Sequence, residues 1–410
     1  MCHPPLVPNH AEVGAANAPT SPGPGSPRRH LRVLVVNLGR RGGVTEYGWL
    51  MTRALAGQAQ VAVVYSELAE NRDKYASLEI PRLGIRTFSG MAGLLLSLLA
   101  VPRFARIARF ARRFRPDVVY YPGGHAWKPI LDHLLPGSAV TVHTVHDPNL
   151  HPGEDSVGAR LLSWANRRRA DGFVLLSEPQ RSEFVARHRL EPQRVTVIPH
   201  GVFDDYVAAP AAPGELLARL GADAAAARPY LLFVGRLRWY KGLDTLLDAY
   251  AALSPSEADP LVIAGSGELG PGEGEALGRL RGRPVALINR WLSDADLAGL
   301  VQGARFVVLP YRSATQSGVI PLASAFGVPA IASATGGLVE QVVDGETGWL
   351  FPPGDSEALR SLLVRASRMD GAAYRRMSER CREHAATAWS WAVLSQRLLD
   401  FCRSLGGRSA

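Results

Sequence analysis

Residues 230–242 read Tyr-Leu-Leu-Phe-Val-Gly-Arg-Leu-Arg-Trp-Tyr-Lys-Gly, and this stretch joins an apolar run to a cationic loop. The run 230–234 predicts a parallel strand that is buried on both faces. Residues 243–250 have helical spacing, so Arg236 and Lys241 lie in a strand-to-helix loop. Ligands of open α/β sheets bind at this edge, and an arginine beside a lysine suits a diphosphate. A solvated basic loop is the simpler alternative.

Short apolar runs alternate with helical stretches on both sides of this loop. The predicted strands of the first half are 31–36, 61–65, 118–121, 139–143, 173–176 and 195–199. The predicted strands of the second half are 230–234, 261–264, 285–288, 306–309, 330–332 and 348–350. This alternation predicts an α/β fold with two Rossmann-like domains facing each other across a cleft.

The domain boundaries follow from changes in composition. Residues 1–30 are rich in proline and glycine and predict a disordered tail without the pattern of a signal peptide. The first domain is predicted at 31–206, and an Ala/Pro/Gly-rich linker follows at 207–229. The second domain is predicted at 230–380, and the helices of 381–410 are expected to cross back to the first domain.

The composition is that of an ordinary globular protein, with 47% hydrophobic and 20% charged residues. A net charge of +9 favours anionic partners. Cys2, Cys381 and Cys402 form no metal-like cluster and cannot all pair, which indicates a reducing cytosol and argues against structural zinc. The longest apolar segment, 91–101, is too short to span a membrane.

Two glycine-containing loops precede predicted helices and are candidates for anion binding. Gly42 and Gly43 follow the first strand, where glycine lets the backbone approach a ligand. Ser317 and Gly318 open the helix that continues through Val319 and Ile320 and would complete a phosphate cradle with Arg236 and Lys241. A tight turn and a capped buried helix are the respective alternatives.

Residues 265–270, Gly-Ser-Gly-Glu-Leu-Gly, have the spacing of a dinucleotide fingerprint. They follow the second strand of their domain, and Pro271 is predicted to break the helix that should begin there. The next strand ends in Asn289-Arg290 instead of an acid for a ribose. We therefore interpret Gly265 and Gly267 as part of a loop that lines a nucleotide cleft.

A histidine and an aspartate, His146 and Asp147, follow the predicted strand 139–143. Such a pair at a strand end can bind a hydroxylated substrate or transfer a proton. Adjacent His-Asp pairs also occur by chance, and the pair alone decides nothing. Gly336-Gly337 with Glu340 fits a loop at the rim of the second sheet, where Glu340 is predicted to begin a helix.

Together these motifs resemble the retaining GT-B glycosyltransferases of family 4. The resemblance rests on GRLRWYKG at 235–242, the SGV loop at 317–319, the GG-x-x-E turn at 336–340 and DGETGWLFPPGD at 344–355. Weaker matches are the amino-terminal Gly-Gly loop, the His-Asp pair and VIPHGV at 197–202. The resemblance extends over residues 31–400.

The resemblance implies transfer of a sugar from a nucleotide-sugar donor with retention at the anomeric carbon. It places the donor on the second domain and a saccharide or lipid-linked acceptor on the first. It implies that Arg236 and Lys241 neutralise the donor diphosphate and that His146 lies near the donor sugar. No cofactor or metal is implied. The implied donor-binding residues are Gly42, Gly43, Gly265, Gly267, Arg290, Trp291, Ser317, Gly318, Val319 and Ile320.

The sequence departs from the family at two positions. The family commonly carries two glutamates seven residues apart around the helix start at Gly318. Here Thr315 stands at the first position, and Ala323, or Ser324 with a gap, stands at the second. A catalytically silent GT-B protein that binds a nucleotide sugar or assists a partner transferase is therefore the alternative function. A nucleotide-sugar epimerase or a phosphorylase is a third, although no pyridoxal-phosphate lysine site supports the latter.

A basic segment follows the apolar run 91–101. No acid occurs between Glu79 and Asp117, and arginines recur every three residues from Arg103 to Arg109. An amphipathic helix of this kind suits an anionic membrane surface, or its apolar face packs on the sheet. We expect a cytoplasmic protein, peripheral at the inner face of the membrane, in surface-polysaccharide or glycolipid biosynthesis. No recognised nucleic-acid module is present.

Overall fold

Two parallel β-sheets, each covered by helices, form the folded chain. The computed structural model describes residues 30–99, 101–146, 148, 157–203, 213–221, 229–257 and 259–406. Residues from Leu31 onward belong to one compact unit. The predicted tail, apart from His30, lies outside the described residues, as do Cys2, Asp147 and most of the predicted linker.

The first sheet has seven parallel strands in the order β3-β2-β1-β4-β5-β6-β7. The strands are β1 Arg32–Asn37, β2 Gln60–Ser66, β3 Arg82–Ile85, β4 Val118–Tyr121, β5 Val140–Val145, β6 Gly172–Leu175 and β7 Val195–Val197. The helices between them are α1 Gly43–Ala56, α2 Gly90–Leu98, α3 Val101–Phe114, α4 Lys128–Leu134, α5 Val157–Arg167 and α6 Arg181–His188. The strand order reverses between β1 and β4. Ligands of open α/β sheets bind at such a switch point.

The second sheet has six parallel strands in the order β10-β9-β8-β11-β12-β13. The strands are β8 Tyr230–Val234, β9 Leu261–Gly265, β10 Val285–Asn289, β11 Ala304–Leu309, β12 Ala330–Ser333 and β13 Gly348–Phe351. The helices of this half are α7 Pro213–Arg219, α8 Leu243–Ala251, α9 Pro271–Arg279, α10 Asp294–Gly303, α11 Val319–Phe326, α12 Leu338–Gln341, α13 Ser356–Ser367 and α14 Gly371–Ala388.

Alternating side chains of each strand pack on opposite faces of its sheet. In β1, Val33 and Val35 belong to one buried cluster, whereas Leu34 and Val36 belong to another. The whole strand is therefore nearly continuous in apolar residues, as expected for a parallel sheet with helices on both faces. The α/β fold class predicted from the sequence is confirmed.

Two local features differ from the sequence interpretation. The strand β3 was not predicted, because Arg82-Leu-Gly-Ile is short and carries no continuous apolar run. The predicted helix break at Pro271 is wrong, since α9 begins at that residue. Proline is well suited to the first helical position, where its missing N–H has no intrahelical partner to bond. The Glu273 side chain accepts a hydrogen bond from the Gly270 amide at 2.8 Å and completes the cap.

The chain crosses between the two sheets at two adjacent places. The last helix, α15 (Trp391–Gly406), returns from α14 and packs against α1 and β5. At the crossing, the Val202 amide donates to the carbonyl of Trp389 at 3.1 Å. The Trp391 indole N–H donates to the carbonyl of Val202. A side chain at Gly201 would collide with the Trp391 ring, so this position requires glycine. Among the described helices, none is long and apolar enough to cross a membrane.

Candidate functional site

A cavity of about 330 Å³ lies where the carboxyl ends of the two sheets face each other. The loop after β1 and the start of α1 form one wall. The loops after β8 and β9, together with the starts of α10 and α11, form the other. The lining residues are Gly42, Gly43, Thr45, Glu46, Glu70, Asn71, Phe203, Val234, Gly235, Arg236, Lys241, Gly265, Ser266, Trp291, Leu292, Asp294, Leu297, Gln316, Ser317, Gly318 and Val319.

Arg236 and Lys241 bring two cations to this cavity from the loop after β8. The Arg236 side chain is exposed and makes no hydrogen bond or ion pair with the described residues. Lys241 is fixed, because its Nζ donates to the Tyr311 hydroxyl at 2.7 Å and lies 4.2 Å from the centre of that ring. An unpaired guanidinium beside an oriented ammonium is suited to binding a diphosphate.

Glycines allow the two loops beside these cations to come together. Gly235 has φ 132° and Gly265 has φ 143°, both unfavourable for residues with a side chain. A Cβ at Gly265 would overlap the carbonyl oxygen of Gly235. The backbone of both loops is therefore exposed to the cavity at the base of the cationic site.

The starts of two helices also border the cavity. Gly42 has φ 81° and caps α1, which begins at Gly43. On the opposite wall, the Gln341 side chain bonds both backbone groups of Ser317, accepting from its N–H at 2.8 Å and donating to its C=O at 2.9 Å. The first N–H groups of a helix have no intrahelical partners, so both walls offer positive ends to an anion.

Gln316 supplies a polar group that the sequence interpretation did not select. Its Oε1 is buried without a hydrogen-bond partner among the described residues, although the residue lines the cavity. Thr315 and Ala323, the residues that the sequence resemblance aligns with the family glutamates, are buried and do not line the cavity. An amide oxygen without a partner is suited to accept a hydrogen bond from a ligand hydroxyl.

The wall nearest α1 is acidic. Glu46 is buried and accepts hydrogen bonds from Lys74 Nζ at 2.6 Å and from Asn71 Nδ2 at 3.0 Å. Burial raises the pKa of Glu46, and the hydrogen bond from Lys74 opposes this rise. Lys74 Nζ also lies 3.6 Å from a carboxylate oxygen of Asp294, which belongs to the opposite wall. This ion pair connects the two sheets across the cavity.

Four predicted site residues do not line this cavity, namely His146, Gly267, Arg290 and Ile320. His146 contacts the carbonyl oxygen of Pro122 through Nε2 at 2.7 Å and packs edge-on against Tyr47 at 5.0 Å. Gly267 exchanges hydrogen bonds with the Asn289 side chain. Arg290 is exposed, and Ile320 is buried in the core behind the start of α11.

The Gly-Gly turn before α12 forms a contact between the two domains. A Cβ at Gly337 would meet the side chain of Ser177 in the loop after β6. The Glu340 carboxylate accepts a hydrogen bond from the Glu178 amide at 3.1 Å. The predicted placement at the rim of the sheet therefore holds, but Glu340 spans the interface and does not line the cavity.

The basic helix α3 packs its apolar face on the first sheet. Phe104, Ile107 and Ala111 are buried in the same cluster as Leu34. The sequence left two alternatives for this helix, contact with a membrane surface or packing on the sheet. For its apolar face, packing on the sheet is correct. The preceding helix α2 differs, because Leu95, Leu96 and Leu99 at its end are 63%, 70% and 77% exposed.

Several lining residues escaped the sequence interpretation although they lie in predicted loops. Gln316 adjoins Ser317, and Glu46 lies in the first turn after Gly43. Asn71 follows β2 and Asp294 opens α10, so both lie at the carboxyl edges of sheets. Their position after strands could have identified these residues as candidates for a ligand site. That they meet in one cavity could not be predicted, because it depends on how the two sheets face each other.

Two family models match the chain side by side. The model described as Glycosyltransferase Family 4 matches residues 41–206, and the model described as Glycosyl transferases group 1 matches residues 228–368. The first match spans β2 to β7 and the second spans β8 to β13, and residues of both matches line the cavity. Within the described ranges, no three histidine, cysteine or carboxylate side chains come together as metal ligands. Independence from metal remains a prediction.

Curated relatives and solved structures agree with these matches. Alpha-D-kanosaminyltransferase of Streptomyces kanamyceticus is 26% identical over 69% of this chain and 75% of its own length. D-inositol 3-phosphate glycosyltransferase 2 of Catenulispora acidiphila is 31% identical over 58% of this chain and 57% of its own length. The crystal structure of Anabaena HepE in complex with UDP and glucose superposes with a TM-score of 0.70 at 19% identity, covering 92% of this chain and 100% of HepE.

Proposed function

We propose that this chain, a GT-B glycosyltransferase with a family 4 domain followed by a group 1 domain, is a retaining enzyme that uses a nucleoside-diphosphate sugar. The observation that carries the proposal is the cavity in which Arg236 and Lys241 face the starts of α1 and α11. The proposed acceptor is a saccharide or lipid-linked saccharide in surface-polysaccharide or glycolipid biosynthesis.

The two cations act on the leaving group of the reaction. As the bond between the sugar and the diphosphate breaks, negative charge grows on the diphosphate oxygens. Arg236 has no competing partner among the described residues, and Lys241 is oriented by Tyr311. Fixed positive groups of this kind stabilise the transition state more than the ground state. The helix starts at Gly43 and Gly318 add backbone N–H groups from the two walls of the cavity.

Other lining residues are proposed to recognise the rest of the donor. Trp291 is 52% exposed at the cavity and offers a ring face on which a nucleobase stacks. Gln316 offers its unpartnered Oε1 to a hydroxyl of the donor. These contacts supply polar recognition in a chain that lacks the two family glutamates. For His146, a role near the donor sugar stays a proposal, because its Nε2 faces Pro122.

The acceptor side is proposed to lie against an anionic membrane. The exposed leucines of α2 form an aliphatic patch, and the exposed face of α3 carries Arg106, Arg109 and Arg113 beside it. Aliphatic side chains next to arginines suit a bilayer that contains anionic lipids. Association with the inner face of the membrane from the cytoplasm therefore fits a lipid-linked acceptor.

Donor turnover tests the proposed function. UDP-, GDP- and ADP-sugars are incubated with the protein, and nucleotide release is measured together with the melting temperature. We expect one nucleotide to raise the melting temperature and its sugar conjugate to release nucleotide slowly, with UDP the first to test because it is bound in HepE. Proton NMR of the first sugar product should show the anomer of the donor. Binding without release under every condition would favour a silent donor-binding protein.

Flotation with vesicles tests the membrane proposal. The parent protein is expected to float with phosphatidylcholine vesicles that contain phosphatidylglycerol. Replacing Arg106, Arg109 and Arg113 by alanine should weaken this binding by about 100-fold, at about 1 kcal/mol for each arginine. The matched control replaces three exposed arginines of α14 by alanine, namely Arg375, Arg376 and Arg380. If the α3 variant floats like the parent, that helix does not contact the membrane.

A further inference from the structure

We call the cavity that contains Arg236 and Lys241 the donor cavity. A further cavity, of about 510 Å³, lies beside it at the carboxyl edge of the first sheet. It is bordered by the loops after β1, β2 and β3, by one side of α2 and by the first turn of α3. We call it the arginine pocket, and its lining residues are Arg40, Arg41, Leu68, Arg86, Thr87, Phe88, Ser89, Gly93, Leu96, Ser97 and Arg103. Arg40 and Arg41 directly precede Gly42 and Gly43, so one loop borders both cavities.

Among the described residues, four arginines and no acidic side chain line the pocket, so it is strongly positive. The side chains of Arg40, Arg86 and Arg103 make no hydrogen bond or ion pair with the described residues. Arg41 pairs with Glu70 at 3.2 Å, a contact in which both side chains are largely exposed. Unpaired arginines that converge on one cavity repel each other, and a bound anion removes this repulsion while forming bidentate hydrogen bonds.

The start of α2 adds to this field. The helix has nine residues, begins at Gly90, and receives no side-chain cap from Ser89. Its first N–H groups therefore lack intrahelical partners, and Ser89, which directly precedes them, lines the pocket. The charge of Arg40 also acts on the nearby His125. Burial first, and then Arg40, lowers the pKa of His125 to about 4, so its imidazole is neutral.

The surroundings of the pocket are aliphatic. Leu96 lines the pocket and is 70% exposed, and Leu95, Leu99 and Val101 are also exposed next to it. A soluble anion gains nothing from such a border. A phosphate that is attached to a hydrocarbon chain binds the arginines with its charge, and its chain buries the apolar patch.

We infer that the arginine pocket binds the phosphate or diphosphate group that joins the acceptor sugar to a lipid. This inference rests on the proposed function, because the acceptor reacts in the neighbouring donor cavity. Arg41 and Gly43 are two residues apart, so their Cα atoms lie within about 7 Å of each other. The loop of Arg41 and Gly43 therefore connects the proposed phosphate site to the donor cavity.

The first test titrates inorganic pyrophosphate by calorimetry. Arg236 and Lys241 are first replaced by alanine, so that the donor cavity does not bind the probe. This background protein is expected to bind pyrophosphate, and adding Arg86→Ala with Arg103→Ala should weaken binding by at least about 100-fold, because two charge-assisted hydrogen bonds are lost. The control Arg375→Ala with Arg376→Ala removes the same charge from the exposed face of α14, outside both cavities, and should leave binding unchanged. Equal affinity with and without Arg86 and Arg103 would overturn the inference.

The second test identifies the source of the phosphate. Vesicles of phosphatidylcholine with phosphatidate, a lipid phosphomonoester, are compared with vesicles that contain phosphatidylglycerol, and glucose 1-phosphate is the soluble competitor. We expect the parent to prefer phosphatidate and the Arg86→Ala/Arg103→Ala variant to lose this preference. Glucose 1-phosphate should not displace the protein. A parent that shows no preference and binds glucose 1-phosphate as tightly as pyrophosphate would overturn the lipid assignment.

The outcome is separable from that of the proposed function. The Arg86→Ala/Arg103→Ala variant should keep the UDP-induced rise in melting temperature of the parent, since neither residue lines the donor cavity. If UDP and the other nucleotides fail to bind the parent, the proposed function is wrong. The pyrophosphate titration tests the arginine pocket independently of that result. The substitutions break no side-chain hydrogen bond or ion pair among the described residues, so the variant is expected to fold.

Discussion

Replacing Arg236 by alanine is expected to lower kcat for donor turnover by about 100- to 1,000-fold. The guanidinium borders the donor cavity without a partner among the described residues, so the substitution removes charge and breaks no hydrogen bond or ion pair. Because charge on the diphosphate grows as the sugar departs, the loss should be larger in kcat than in donor affinity. Initial rates of nucleotide release over a range of donor concentrations measure both quantities.

The matched control for this prediction is Arg238→Ala. Arg238 lies two residues further along the same loop, is exposed, and does not line the cavity. It carries the same charge into the same region of the surface, so its removal should change kcat less than 3-fold, about 0.7 kcal/mol or less. If Arg236→Ala and Arg238→Ala turn over donor equally well, Arg236 is not the group that stabilises the leaving diphosphate.

Replacing Asp132 by alanine is expected to lower the free energy of unfolding by about 3–5 kcal/mol. Lys128 and Asp132 form an ion pair one helical turn apart in α4, with Nζ 2.7 Å from Oδ2 and with side chains that are 0% and 3% exposed. Removing the carboxylate leaves a buried ammonium without its partner. Urea unfolding of parent and variant, monitored by circular dichroism, measures the difference.

The double variant Lys128→Met with Asp132→Leu separates the charge effect from packing. It removes both charges and keeps most of the buried volume, so it should be more stable than Asp132→Ala. The pair lies beneath the ring of Tyr121 at the end of β4, 4.6 Å from Nζ to the ring centre. Burial, and then Asp132, raises the pKa of Tyr121 well above its usual value, so that hydroxyl stays neutral. A double variant as unstable as Asp132→Ala would contradict the charge explanation.

The sequence predicted the strands of the second sheet well, because buried parallel strands are continuous apolar runs. The strand β8 at Tyr230–Val234 has the predicted bounds. The edge strand β3 escaped because its arginine and glycine interrupt the apolar pattern. The predicted break at Pro271 is wrong because proline breaks a helix only in its interior and is favourable at the first helical position, where α9 places it.

Candidate site residues were predictable where a strand-to-helix loop carries a motif. Arg236, Lys241 and Ser317 belong to strand-to-helix loops, and the structure brings all three to one cavity. The contact of Lys74 with Asp294 was not predictable, because these residues come from different domains. The four arginines of the arginine pocket are spread from residue 40 to residue 103, and only the order of β1, β2 and β3 brings them together.

The double crossing of the chain has a mechanical consequence for the cleft. The outgoing segment at Val202 and the returning segment at Trp389 are hydrogen-bonded to each other, and Trp391 packs on Gly201 between them. Two chain segments tied at one point behave as a single pivot. Rotation of one sheet relative to the other is therefore expected to pivot about this point, and such a rotation would bring the walls that carry Gly43 and Arg236 closer together or move them apart.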